Sequence, residues 1–194
     1  MRWIWVRHGQ TDRNVRGCYL GHLNPPLNEE GNRQAQAAAN RLLGVKIDCI
    51  YASDLARCMQ TASMIGEHHG LNPVPVPALR ELHFGEWDGR TYNEVMETDG
   101  TRLMEWYNHP YDVCTPGGES LMDMGRRIDL WLKSVMDLTS HGETAVLVSH
   151  GGPIRWFQSQ WLSRKPYSFW EVSGLRHGEI LIVEWDGNRW VAGD

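Results

Sequence analysis

The sequence predicts a three-layer α/β/α fold: a mostly parallel central sheet, helices on both faces, and a small irregular cap over about residues 83–117. Two observations carry this expectation. Short apolar runs alternate with amphipathic helical stretches, the pattern of strands joined by crossover helices. Two of those runs, residues 3–6 and 144–148, lead into a histidine followed by glycine, in Arg7-His8-Gly9 and Ser149-His150-Gly151. Open α/β sheets bind ligands beyond the carboxyl ends of their strands, so chemistry is expected at those two ends.

Each element has a local reason. Residues 3–6 are an apolar run short enough for a buried strand. Asn28 follows Pro25-Pro26 as an N-cap, with Glu29 and Glu30 in the first turn of a helix. Ala35, Ala38, Ala39, Leu42 and Leu43 fall on its apolar face, and Gly44 closes it. Residues 47–52 form a second strand; Ser53 or Asp54 caps a helix that runs through about His69 and ends at Gly70. Residues 73–77 alternate proline and valine and stay extended. Residues 83–117 are aromatic-rich and broken by Gly85, Gly89, Gly100 and Pro110. Ser120-Leu121-Met122-Asp123 is a capping box with Asp in place of Glu. It opens an apolar stripe of Leu121, Met124, Ile128, Trp131, Leu132, Val135 and Leu138. A strand at 144–148 and a helix at about 153–162 follow; 180–185 and 189–192 form a terminal hairpin through Asp186-Gly187-Asn188. No repeat and no polar linker divides the chain, so residues 1–194 are expected to form a single domain.

Composition narrows the function. With 194 residues, 41% hydrophobic and 22% charged, the chain is neither disordered nor low-complexity. A net charge of −5 argues against nucleic-acid binding, which rewards clustered positive charge. No run approaches the ~20 apolar residues of a membrane helix, and none at the N-terminus matches the roughly 7–15 of a signal peptide. A cytoplasmic protein without membrane or nucleic-acid partners is expected; composition carries no expectation of oligomeric state. Cys18, Cys49, Cys58 and Cys114 form no C-x-x-C pair and read as reduced thiols. No H-E-x-x-H occurs and His68-His69 are adjacent, so neither a metal nor a cofactor is expected. A G-x-x-x-x-G-K-[ST] loop is also missing, as is an arginine six residues after any cysteine.

The strand-end residues suit a small anion. Glycine permits close backbone approach and can present a free N–H, and Arg7 offers a planar charged fork for phosphate. Arg57, early in a helix, either adds a second fork or lies on a solvated face.

The run Val6-Arg7-His8-Gly9-Gln10-Thr11-Asp12-Arg13-Asn14 resembles the signature of the histidine phosphatase superfamily, in its phosphoglycerate-mutase-like branch. Residues 26–31, 53–57, 80–87 and 149–152 recur in that family's order. The resemblance implies that His8 is a nucleophile forming a phosphohistidine. It implies that Arg7, Arg57 and His150 clamp the phosphoryl oxygens, with Asn14 donating a further hydrogen bond and Gly9 and Gly151 contacting the phosphate. Glu81 matches the general acid, which protonates the leaving oxygen and then takes a proton from water; Glu86 is its neighbour, read as a solvated carboxylate.

Within the branch, the chain is most similar to the α-ribazole phosphatases of cobalamin biosynthesis, on residues 19–27, 84–90, 116–121 and 150–155. That implies α-ribazole 5′-phosphate, a small-molecule phosphate monoester, as substrate. A broad-specificity phosphatase, a phosphoglycerate mutase and a non-catalytic phospho-ligand module are the alternatives. Gln10, Arg13 and Asn24 depart from residues common in the family and bear on the substrate alone. Glu119 either touches the substrate side or favours a helix start. Of the ten tryptophans, core packing accounts for most. Trp87 and Trp106 lie in the segment expected to face a leaving group, where they either stack on it or simply pack the cap, and Trp170 has no assigned place.

Overall fold

The computed structural model describes residues 1–138 and 142–193, the side chain of Leu138 excepted, so one position of the expected apolar stripe lies outside the described residues. Strand β1 (Arg2–Arg7) is followed by the short helix α1 (Asp12–Val15), α2 (Glu29–Arg41), β2 (Cys49–Ala52), α3 (Ala56–His69) and β3 (Val74–Pro75). Then come α4 (Tyr92–Asn108), α5 (Leu121–Leu138), β4 (Thr144–Ser149), α6 (Gly151–Phe157) and the hairpin β5 (Ile180–Trp185) and β6 (Trp190–Ala192). The sheet order is β3-β2-β4-β1-β5-β6. Its first four strands are parallel, whereas β5 runs antiparallel to β1 and β6 antiparallel to β5.

Strand alternation sorts the core into two layers. Trp3 and Trp5 of β1, with Ala145 and Leu147 of β4, pack against α5, α6 and the cap. Ile4 and Val6, with Val146 and Val148, face α2 and α3. Ala35, Ala38 and Ala39 are small enough for α2 to lie close to the sheet, and all are buried. The expected Asn28 cap holds: its side chain accepts from Gly31 N at 2.8 Å. The Ser120 cap holds too, with Ser120 N donating to Asp123 Oδ2 at 3.2 Å and Asp123 N to Ser120 Oγ at 3.1 Å.

Four expectations need correction. Helix α2 ends at Arg41 with Leu42 as its cap: Leu42 N–H bonds back to the Ala39 carbonyl and Leu43 N–H to that of Asn40, so Gly44 plays no part and the Leu43 side chain points to solvent. Neither Ser53 nor Asp54 caps α3: the helix starts at Ala56 without a side-chain cap, and Asp54 pairs with Arg80 at 2.5 Å instead. The helix expected at 153–162 begins at Gly151 and widens into a π turn over Gln158–Leu162. The largest difference is in the cap. Residues 83–117, read as irregular, contain the 17-residue α4, opened by a Thr91–Glu94 capping box and bent at Asp99 (φ −144°, ψ 30°). Gly100 is tolerated inside it because the bend at Asp99 already interrupts the regular helix.

Candidate active site

The carboxyl ends of β1, β4 and β2 converge because the three strands are parallel neighbours. Arg7 lies opposite Ser149 in the β1–β4 register, and His8 N donates to the Ser149 carbonyl at 3.0 Å. His8 is only 3% exposed. Its Nδ1 sits 2.6 Å from the Gly9 carbonyl. A carbonyl only accepts, so Nδ1 carries the proton and the neutral ring keeps its lone pair on Nε2. Burial, the Arg57 guanidinium and His177 together hold the His8 pKa well below the ordinary histidine range. Near pH 7 the imidazole is therefore neutral, the form a nitrogen nucleophile requires.

Arg57 and His150 form the floor beside it. Arg57 Nε donates to His150 Nδ1 at 3.2 Å, so His150 Nε2 holds the hydrogen it shares with Ser53 Oγ at 2.8 Å. The two remaining Arg57 nitrogens donate to the Leu23 and Gly21 carbonyls, each at 2.8 Å. The His8 and His150 rings meet edge-on with centroids 5.0 Å apart. Burial and Arg57 also keep His150 neutral. Both Arg57 and His150 are fully buried, so Arg57 joins the site and is not on a solvated helix face.

Arg7 and Glu81 form the rim. Arg7 Nη1 donates to the Leu175 carbonyl at 2.7 Å, while its buried Nε has no hydrogen-bond partner among the described residues. A charged donor in that condition suits an arriving anion. Glu81 is held at both oxygens: Oε1 accepts from Leu82 N at 2.8 Å and Oε2 from Gly152 N at 3.0 Å. A Cβ on Gly152 would lie 2.0 Å from Glu81 Oε1, so only glycine lets the carboxylate come this close. The Arg7 guanidinium lies against Gly151, where a Cβ would sit 3.4 Å from Cζ. The two glycines after His150 thus seat the arginine and the carboxylate side by side.

A cavity of about 280 Å³ opens onto this rim. Arg7, Glu81, Gly151, Gly152 and Arg155 line its polar end; Leu82, Phe84, Trp106, Leu121, Phe169 and Trp170 form an apolar wall. Trp170, in the stretch the sequence left unplaced, is 51% exposed and stands at the mouth. Its segment is held by Arg155, which donates to the Val172 and Ser173 carbonyls.

Other expected site residues sit elsewhere or do other work. Asn14 Oδ1 accepts from Thr11 N and Thr11 Oγ1, capping α1 and leaving Nδ2 as its remaining donor atom. Gly9 offers no free N–H, because it donates to Thr61 Oγ1 at 3.2 Å. Its lack of a side chain serves packing: a Cβ would lie 2.2 Å from the Gly31 carbonyl oxygen. Trp87 does not line the cavity. It is buried behind the wall, packed between Tyr19 and Trp106, with Nε1 donating to Asp99 Oδ2 at 3.1 Å. Glu119 is also outside; it pairs with Arg127 at 2.6 Å and accepts from His83 N at 2.9 Å. Sequence reasoning missed Phe84, Arg155, Phe169 and Trp170 of the lining, as well as Arg127, His22 and His177 around it. The Thr91–Glu94 capping box was the one signal that could have located the cap helix behind Trp106. Among the described residues, no group of three or more His, Cys, Asp or Glu is placed to hold a metal ion, and no helix is long and apolar enough to cross a membrane.

Comparison with known proteins agrees with this geometry. The family described as the histidine phosphatase superfamily (branch 1) matches residues 3–193. Phosphoserine phosphatase 1 of Hydrogenobacter thermophilus is 34% identical over 186 residues, 96% of this chain and 87% of that protein. A 2,3-bisphosphoglycerate-dependent phosphoglycerate mutase of Brucella anthropi is 34% identical over 158 residues, 78% of this chain and 77% of that protein. The crystal structure of the alpha-ribazole phosphatase from Shigella flexneri superposes with a TM-score of 0.92 at 26% identity, covering 100% of this chain and 95% of that one. With the sheet delivering Arg7, His8 and His150, α3 adding Arg57, and the family matching residues 3–193, the chain belongs to branch 1 of the histidine phosphatase superfamily and is a hydrolase of phosphate monoesters.

Proposed function

We propose that the chain dephosphorylates its substrate through a phosphohistidine on His8, and that the substrate is α-ribazole 5′-phosphate in assembly of the cobalamin nucleotide loop. The observation that carries the chemistry is the His8 tautomer, with Nδ1–H spent on the Gly9 carbonyl and the Nε2 lone pair kept for phosphorus. Nε2 attacks the phosphorus in line as the ester oxygen departs. Arg7 and Arg57 stabilise the charge on the phosphoryl oxygens, His150 orients Arg57 by accepting from its Nε, and Asn14 Nδ2 adds a further donor. Glu81 serves as the general acid, delivering a proton to the departing oxygen. Water then attacks the phosphohistidine and returns a proton to Glu81, releasing inorganic phosphate and restoring His8.

The wall supports the substrate. Phe84, Trp106, Phe169 and Trp170 offer ring faces and edges to a flat aromatic base. At about 280 Å³ the cavity suits a leaving group's base more than a whole nucleotide, since sites enclosing entire ligands usually begin near ~300 Å³. A phosphoglycerate, charged at both ends, finds no apolar partner for that wall. The test is kcat/KM for α-ribazole 5′-phosphate against sugar phosphates and simple aryl phosphates. At least a tenfold preference is expected. Equal values would make the enzyme a broad-specificity phosphatase, and primer-dependent interconversion of 2- and 3-phosphoglycerate without phosphate release would make it a mutase.

A further inference from the structure

Behind Glu81, on the side away from the cavity, one guanidinium gathers the loop that carries the carboxylate. Arg127 projects from α5, and Nη1 donates to the Ala78 and Arg80 carbonyls at 2.7 and 2.8 Å. Its Nη2 donates to the Glu81 carbonyl at 2.9 Å and to Glu119 Oε1 at 2.6 Å, and Nε donates to Glu119 Oε2 at 3.2 Å. An arginine has five N–H donors, and all five are spent here, so none remains for a ligand. Glu119 extends the grip by accepting from His83 N at 2.9 Å, and His22 Nε2 lies 3.1 Å from the same Glu81 carbonyl. The pair is largely buried, with side-chain exposures of 24% for Arg127 and 17% for Glu119. Residues 78–83 form no regular strand beyond the short 3₁₀ turn Pro77–Leu79, so little sheet pairing fixes Glu81.

We infer that Arg127, backed by Glu119, is the positioning residue for the proton donor: it sets where the Glu81 carboxyl stands relative to the leaving oxygen without touching substrate. This rests on the reading of Glu81 as the general acid. Proton donation contributes typically ~10²–10⁴-fold, and a misplacement near 1 Å can cost about 10²-fold, so loosening this grip should be visible in rate. The signature is dependence on the leaving group. An ester whose leaving group is stable as an anion needs no proton; an alkyl ester does.

The experiment measures kcat/KM, which reports phosphoenzyme formation, for 2,4-dinitrophenyl, phenyl and glycerol phosphates with wild type, Glu81→Gln, Arg127→Met and Arg127→Lys. Glu81→Gln is expected to spare the dinitrophenyl ester and lower the glycerol ester most. Arg127→Met should repeat that pattern with roughly 10²-fold loss on glycerol phosphate and less than about threefold on the dinitrophenyl ester. Arg127→Lys keeps the charge but has only three donors, and should fall between Arg127→Met and wild type. If both Arg127 variants lower all three esters by one common factor while Glu81→Gln still discriminates, Arg127 is merely structural and the inference fails. If Glu81→Gln does not discriminate, the general-acid reading fails and takes the inference with it. Should Arg127→Met not fold, as judged by its circular dichroism and thermal melt, Arg127→Lys and Glu119→Gln decide by the same ratio.

Discussion

Behind the polar end of the cavity, His8 and His150 are buried at strand ends and Arg57 in the first turn of α3, with bonds to backbone carbonyls, to the Ser53 hydroxyl and between Arg57 and His150. At the opposite end, Trp170 is half exposed, in a stretch without helix or strand that Arg7 and Arg155 hold by backbone carbonyls. The chemistry is thus built from the core of the fold, and leaving-group choice from its periphery. Changing the first disturbs packing, tautomers and burial together. A change in the second repacks a few rings. One scaffold can therefore keep its reaction while exchanging its substrate.

Four measurements break or sharpen that contrast. The largest effect is expected from His8→Ala: kcat falls roughly 10³-fold or more and no acid-labile phosphoenzyme forms in a quenched reaction. Normal turnover in that variant would end the phosphohistidine reading. Next is acid stability. His8 and His150 are held well below 6.5, and His177, by burial and by Arg7, at about 4. As pH falls below 6.5, the unfolded chain takes up protons that the native state refuses, so stability declines toward the folded-state pKa values. For His177 that loss is complete near pH 4; the two buried rings act in the same direction. Urea midpoints at pH 7.5 and 5.0 check this, and a flat profile would mean these rings are not held neutral by the fold. Trp170→Ala comes third: KM for an aromatic leaving group rises about tenfold, worth ~1.4 kcal/mol, with glycerol phosphate turnover within about twofold. The smallest change is for Trp87→Phe. Losing the bond to Asp99 costs about 1 kcal/mol of unfolding free energy and leaves kcat/KM unchanged, because the ring never reaches substrate.

The same contrast governs what the sequence reveals. β1 and β4 are legible as apolar runs, and the histidines at their ends are fixed by strand direction alone, so His8 and His150 could be named as partners before any coordinates. Arg57 carried two readings because a cation early in a helix looks alike in either setting; only the Leu23 and Gly21 carbonyls decide it. The cap helix was hidden by Gly89, Gly100 and Pro110, which read as breakers although Thr91 and Glu94 were marking a start. Trp170 has no periodic neighbours; what places it is contact between distant residues, such as the Arg7–Leu175 bond across 168 positions. Glu119 and Arg127 are eight residues apart, outside the i,i+3 and i,i+4 spacings that flag helical ion pairs. Trp87 carried two readings, leaving-group contact or cap packing, because a place within residues 83–117 says nothing about which side of the wall a ring occupies.

The position of β1 in the sheet has a consequence for how the protein is made. The nucleophile's strand precedes every other strand of the sheet in sequence, yet its two neighbours are β4 and β5, which follow only after α5. Until both arrive, β1 has unpaired edges and Trp3 and Trp5 have no layer to enter, so the Arg7-His8 corner cannot be assembled on a partly made chain. Pairings this distant in sequence close slowly. During that wait an apolar, tryptophan-bearing strand stays open to the wrong partners, which makes the window before β4 and β5 dock the molecule's most vulnerable interval.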